Sequence, residues 1–289
     1  MLPKCNGRRW IAAWLALALA GCAAPAATLD DRQLAGELER RPAVLLGEVH
    51  DNPVQHRARA AALKQLLEKG GRPAIAFEQF DRDRQAAIDR ARNEQAPAGK
   101  TLAAHVIESG RATKDGWDWA NYQPFVELAL QYQLPIIAAN LSRADAGRVG
   151  REGLESTFDS ATRLRMGLSD VDPKLQRVYE EIVREAHCNA LPEKMVPGLA
   201  TAQIARDAVL ADAIRPYLAT GVVLLTGNGH ARRDVGVPRH LSEADRARVW
   251  SIGLLEAGGE EDAASFDIAF ITPRHDRADP CEGLRARQK

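Results

Sequence analysis

Short apolar runs alternate with longer stretches of helical character along most of this chain. The runs are Ala43-Val44-Leu45-Leu46-Gly47, Ala74-Ile75-Ala76-Phe77, Pro135-Ile136-Ile137-Ala138-Ala139, Val222-Val223-Leu224-Leu225-Thr226, Val249-Trp250-Ser251-Ile252-Gly253-Leu254 and Phe266-Asp267-Ile268-Ala269-Phe270-Ile271. Apolar run, polar loop and helical stretch, repeated in that order, predict a mostly parallel central sheet with flanking helices, an α/β fold. The stretch from Pro53 to Lys69 predicts a helix closed by Gly70-Gly71, a common helix C-terminus. Further helices are expected over Asp81 to Asn93 and Pro124 to Tyr132, and a long helical insertion over residues 143–219. Residues 94–121, with the break at Ala96-Pro97-Ala98-Gly99 and the cluster Gly116-Trp117-Asp118-Trp119, lack a clean period. They are expected as helices and loops above the sheet.

The N-terminal segment changes the picture of where the chain works. Lys4, Arg8 and Arg9 precede an eleven-residue apolar run, Trp10 to Ala20, which leads into Leu19-Ala20-Gly21-Cys22. A charged start, a greasy middle and small residues before a cysteine are the parts of a lipoprotein signal peptide. The run is shorter than the roughly 20 residues a spanning helix needs. Cleavage before Cys22 would place acyl chains, palmitate among them, on that cysteine and tether a soluble body to a membrane. In its resemblance to bacterial lipoproteins, Ala23 stands where an aspartate would signal retention at the inner membrane. That implies the outer membrane and its periplasmic face.

The expected organisation is therefore a signal peptide at 1–21, a spacer at 22–28 and one domain at 29–289, a size a single core can fill. Lysines and arginines number 39 and acids 39. Loss of the signal peptide leaves the chain three charges negative, because it removes three basic and no acidic residues. No basic stripe with interleaved aromatics is present, which argues against nucleic acid. Of four cysteines, Cys5 is discarded and Cys22 lipidated, so Cys188 and Cys281 are the expected disulfide in an oxidising compartment.

In open parallel sheets, ligands collect beyond the carboxyl ends of the strands. After the first run come Glu48, His50, Asp51 and Asn52; after the second Glu78; after the third Asn140 and Arg143; after the fourth Asn228, His230 and Arg232. Glu48 and His50 are two residues apart and share a face if the strand continues, while Asp51 or Asn52 suits the N-cap of the helix at Pro53. Glu48, His50, Glu78 and His230 are expected to converge on one rim, with His56 near enough to join or line it. His105, His240 and His275 lack such neighbours.

These segments together resemble the ChaN-like haem-binding lipoproteins. The resemblance rests on Gly47-Glu48-Val49-His50-Asp51-Asn52, on Phe77-Glu78-Gln79-Phe80 with Gln85, on Gly116-Trp117-Asp118-Trp119 with Tyr122 and Pro124, and on Ala138-Ala139-Asn140-Leu141-Ser142-Arg143. It continues through His187-Cys188 with Leu191-Pro192, Ala202-Gln203 with Arg206-Asp207-Ala208, and Gly227-Asn228-Gly229-His230-Ala231-Arg232 with Gly236-Val237-Pro238. It implies haem as ligand, a place in iron uptake, a homodimer enclosing two facing haems, tyrosine ligation of each iron, and an outer-membrane haem receptor as possible partner. The residues it implies at the haem are Tyr122, Tyr179, His50, His56, His230, Arg232 and Asn140. The chain departs from the family pattern after Asn52-Pro53, with Gln55-His56 where consecutive histidines are expected.

The same resemblance extends to the Tiki metalloproteases and erythromycin esterases. It therefore also implies an alternative, a periplasmic hydrolase in which Glu48, His50, Glu78 and His230 hold a divalent metal that activates water. Haem binding is the first expectation and a purely structural lipoprotein the third. For ferric iron a tyrosine oxygen is a suitable donor, and the chain offers Tyr122, Tyr132, Tyr179 and Tyr217. Tyr122, beside Trp117 and Trp119, is the first candidate and Tyr179 the second, though either can equally be packed in the core.

Overall fold

The computed structural model describes residues 26–112, 116–279 and 281–282, and every strand in it belongs to one sheet. The strands are β1 Ala26–Thr28, β2 Ala43–Glu48, β3 Ala74–Asp81, β4 Ile136–Asn140, β5 Val222–Gly227, β6 Val249–Glu256 and β7 Ile268–Thr272. Their order is β1-β7-β6-β2-β5-β3-β4, and every neighbouring pair is parallel. Each of the six apolar runs is a strand. β1 was not expected: residues 26–28, assigned to the spacer, pair with β7, Ala26 opposite Ala269. Three residues carry no readable period, so only the free edge of β7 selects them. The signal peptide and Cys22 lie outside the described residues.

Alternation along the strands assigns each side chain to one of two apolar layers. Val44, Leu46, Ile75, Phe77, Val223 and Leu225 pack beneath α1 Asp31–Leu38, α2 Pro53–Glu68, α3 Gln85–Ala91, α4 Leu102–Gly110 and α5 Trp119–Gln131. Ala43, Leu45, Ala74, Ala76, Val222 and Leu224 face the other layer. Between β4 and β5 the expected helical insertion is α6 Arg143–Glu152, α7 Ser160–Met166, α8 Pro173–Ala186 and α9 Val196–Ile214. The C-terminal part of α9 packs on the sheet, and the rest joins α6, α7 and α8 in a third apolar cluster that contains no strand residue.

Two local details differ from expectation or explain it. α5 starts at Trp119, capped by Asp118, so Pro124 lies inside the helix rather than opening it. Trp119 and Tyr122 are thus first-turn residues packed against the sheet layer, Trp119 stacked on Phe80 at 4.8 Å. α2 is opened by Asn52, whose side chain accepts from the Val54 and Gln55 amides, with Pro53 following it.

The connection after β3 leads outward to β4, whereas that after β5 crosses to β6 on the other side of the sheet. Connections that part in this way open a crevice at the carboxyl ends of their strands. The C-terminal tail runs back over the same edge, where Arg277 pairs with Asp51 and Glu256. It is fastened by a disulfide from Cys281 to Cys188, just past α8, with the Cα atoms 5.6 Å apart. Among the described residues no helix is long and apolar enough to cross a membrane.

Candidate functional site

Glu78 follows Ala74 and Ala76 in phase, so its side chain leaves β3 toward α9. Its Oε2 accepts from Thr226 Oγ1 at 2.7 Å and from the Gly227 amide at 2.8 Å. Its Oε1 lies 3.5 Å from His230 Nε2. His230 sits on α10, Asn228–Ala231, and its Nδ1 is 2.7 Å from Asp207 Oδ1 on α9. The other oxygen of Asp207 accepts from the Tyr179 hydroxyl of α8.

Burial alone would lower the pKa of His230, but the charges of Asp207 and Glu78 outweigh it and push it up to about 10. Burial would likewise raise Glu78, yet the His230 charge and hydrogen bond, with the Gly227 amide, hold the carboxylate below its ordinary range. At neutral pH the arrangement is an imidazolium clasped between two carboxylates.

Glu48 belongs to the opposite phase, with Val44 and Leu46, and its side chain points beneath α2 and α5. There it pairs with the fully buried Arg59 of α2, which also donates to the Leu46 carbonyl at 3.1 Å and lies over the Phe125 ring. Tyr122 donates its hydroxyl to Glu48 Oε1 at 2.5 Å, and His50 Nδ1 meets the same oxygen at 2.9 Å. His56 Nδ1 lies 3.3 Å from Glu48 Oε2, and its Nε2 bonds the His50 carbonyl at 2.8 Å. Burial lowers the pKa of His56, leaving it neutral, and pushes the Tyr122 phenol up, leaving it protonated.

Between these clusters, at the carboxyl edge, is a cavity of about 400 Å³. It is lined by His50, Glu78, Gln79, Asp81, Ala112, Trp117, Asn140, Arg143, Gln203, Arg206 and His230. His50, nearly half exposed, stands edge-on to Trp117 with ring centroids 4.8 Å apart. Its ring also rests on Gly227, where an added Cβ would fall 2.8 Å from both Cε1 and Nε2, so a side chain at this position would have to displace the ring.

Three of the four expected rim residues, His50, Glu78 and His230, therefore share one cavity, and Glu48 supports it from behind. The four do not surround a common point. Among the described residues no three His, Cys, Asp or Glu side chains are arranged to hold a metal ion. Tyr122, Tyr179 and His56, expected at a ligand, are buried and turned to partners inside the chain. Arg232 pairs with Asp234 and does not line the cavity, because β5 ends before it and α10 carries it past the rim. Asn140 does line it, with Oδ1 accepting from Arg206 Nη1 at 2.8 Å.

Gln55, at the departure from the family pattern, is a clamp: its Oε1 accepts from the Val49 amide and its Nε2 donates to Thr272. Sequence reasoning gave Asp207, Arg206 and Gln203 no chemical role. A signal was present for Asp207, an acid amid Ile204, Ala205, Ala208 and Val209 in a mostly apolar helix, since acids are almost never fully buried unless paired.

Residues 34–241 match the family described as "Haem-binding uptake, Tiki superfamily, ChaN". The chain belongs to this family. Among solved structures it is similar to ChaN of Campylobacter jejuni, described with cofacial haem binding. The two are 19% identical with a TM-score of 0.65, covering 83% of this chain and 91% of that one. An erythromycin esterase variant in its open conformation is 14% identical with a TM-score of 0.47, covering 78% of this chain and 72% of that one. No sequence match to a protein of curated function is found. At 19% identity the Campylobacter jejuni structure speaks for the fold alone, and the haem-binding uptake assignment rests on the family.

Proposed function

We propose that this protein is a haem-binding lipoprotein, anchored through lipid on Cys22, that takes part in haem and iron acquisition, and that His50 offers the iron its donor atom. The family match supports haem as the ligand class, and ChaN of Campylobacter jejuni is described as binding haem cofacially. The observation that carries the residue assignment is the setting of His50. Its Nδ1 is taken by the buried Glu48, its side chain is 45% exposed at the cavity, and its Nε2 has no hydrogen-bond partner among the described residues. A carboxylate on the far nitrogen fixes ring and tautomer and raises the basicity of the other nitrogen.

The residues present suit a haem lying at the mouth of the cavity. Trp117 gives the macrocycle an aromatic wall, and among the described residues no tyrosine lines the cavity. When bound, haem supplies an iron able to accept such a donor. The open mouth would leave one face of the macrocycle uncovered, a face that a second copy of the chain would close in a homodimer.

Spectroscopic titration of the mature protein with haemin, and separately with zinc and manganese, tests this reading. Wild type should give a saturable Soret shift, His50→Ala should lose most of it, and Tyr122→Phe and Tyr179→Phe should keep it. A tyrosinate charge-transfer band that disappears in Tyr122→Phe would move the iron to Tyr122. Binding of zinc or manganese without any binding of haemin would replace haem by a metal.

A further inference from the structure

Two guanidinium groups line the cavity, and among the described residues neither is in a salt bridge. Arg206 leaves α9 with its Nη1 donating to two neutral oxygens, Asn140 Oδ1 at 2.8 Å and the Leu141 carbonyl at 3.0 Å. Among the described residues no carboxylate oxygen comes within 4.0 Å of Arg206 or of Arg143 at the start of α6. Several other buried or partly buried arginines meet acids: Arg59 meets Glu48, Arg184 Glu193, Arg232 Asp234 and Arg277 Glu256.

The acids around this cavity act on Arg206 through their charges but form no ion pair with it. Glu78 and Asp207 clasp His230, and Asp81 has a partner of its own. Burial strips water from Arg206 and draws its pKa below the usual guanidinium value. Beside it on the lining is Gln79, 2% exposed, whose amide nitrogen and oxygen both lack a hydrogen-bond partner among the described residues. A partly desolvated cation with no carboxylate at hydrogen-bond distance and an orphaned buried amide are both costly unless an acceptor arrives. A carboxylate is planar and matches the guanidinium fork.

We propose that Arg206, held in place by Asn140 and assisted by Arg143, forms a carboxylate-recognition site for the acid group of the ligand. Its identification with a haem propionate rests on the haem reading above; the site itself does not. Asn140 is a positioning residue, and Gln79 offers a further donor to the same group.

The test compares haemin with haemin dimethyl ester, whose propionates carry no charge, on wild type, Arg206→Gln, Arg206→Lys and Arg143→Gln. A parallel arm titrates the haem-free protein with succinate by calorimetry. Hydrogen bonds to a charged group contribute about 1.5–3 kcal/mol, so wild type should prefer haemin over its ester by about tenfold or more. Arg206→Gln should bring the two within about twofold, with Arg206→Lys between, and Arg143→Gln should reduce the preference less.

Arg143 is exposed, so its variant keeps the test available if Arg206→Gln fails to fold. A preference unchanged in Arg206→Gln or, if only that variant is folded, in Arg143→Gln overturns the proposal. If wild type binds neither porphyrin, the haem reading has failed. The succinate arm then decides: binding lost in the arginine variants sustains the site, and no binding to wild type removes it.

Discussion

Glu48 and Glu78 stand on strands either side of β5, each beside histidines, and only one of them faces a cavity. Glu48 shares a layer with Val44 and Leu46, where α2 and α5 close over it and Arg59, Tyr122, His50 and His56 take up its oxygens. Glu78 is in phase with Ala74 and Ala76, where α9 supplies Asp207, and His230 and the cavity lie beyond it. Two residues of the same type at equivalent strand ends thus differ in role because side chains on a strand alternate between faces. The Glu48 side is support, sealed by the sheet layer. The Glu78 side is where a ligand can reach charged groups.

The sharpest way to break this comparison is to remove the counter-charge on the sealed side. Arg59→Ala would leave Glu48 buried and unpaired, and breaking one half of a buried pair costs about 3–5 kcal/mol. Urea unfolding should report a loss of that size. A loss no larger than that of an exposed pair such as Lys64 and Glu68 would mean Glu48 is reached by water and the two sides are alike.

A smaller effect, gated by pH, is expected on the open side. The pKa of His230 is raised from 6.5 to about 10 in the folded protein. Its contribution to stability is therefore complete below about pH 6.5 and is lost as pH climbs through about 10. Stability followed from pH 6 to 10 should fall with a slope that His230→Gln lacks. Parallel curves for the two proteins would show that the Asp207 and Glu78 clasp is not formed in solution.

The smallest change in stability is expected from Gly227→Ala, which joins the two sides. The new methyl would press on the His50 ring, which stands at the exposed rim and can pivot slightly about its hydrogen bond to Glu48, for about 1 kcal/mol of overpacking. The histidine nuclear magnetic resonance signals should nonetheless move for His50 and stay in place for the buried His56. Unmoved His50 signals would place its ring away from Gly227.

Much of the fold was legible in the chain. The six longer strands, the helix after Asn52-Pro53, the insertion between the third and fourth runs and the Cys188 to Cys281 bond were all expected, because local pattern, caps and cysteine count carry them. That Asn140, His50, Glu78 and His230 lie together on the cavity lining was legible in their place after strands. β1 and the start of α5 at Trp119 were not, since a three-residue edge pairing and a proline inside a helix give weak or misleading local signals.

By itself the sequence determined the order of elements, the parallel sheet and the edge on which polar groups gather, because short-range hydrophobic period and strand ends encode these. Only the tertiary structure decided that Glu48 and Tyr122 are sealed from the cavity, that Asp207 is the partner of His230, and that Arg206 reaches the same space with no ion pair among the described residues. Asp207 and His230 are 23 residues apart, and Glu48 and Tyr122 are 74. Contacts of that range, and the face a strand-end side chain takes, follow from which helix the fold lays over each layer.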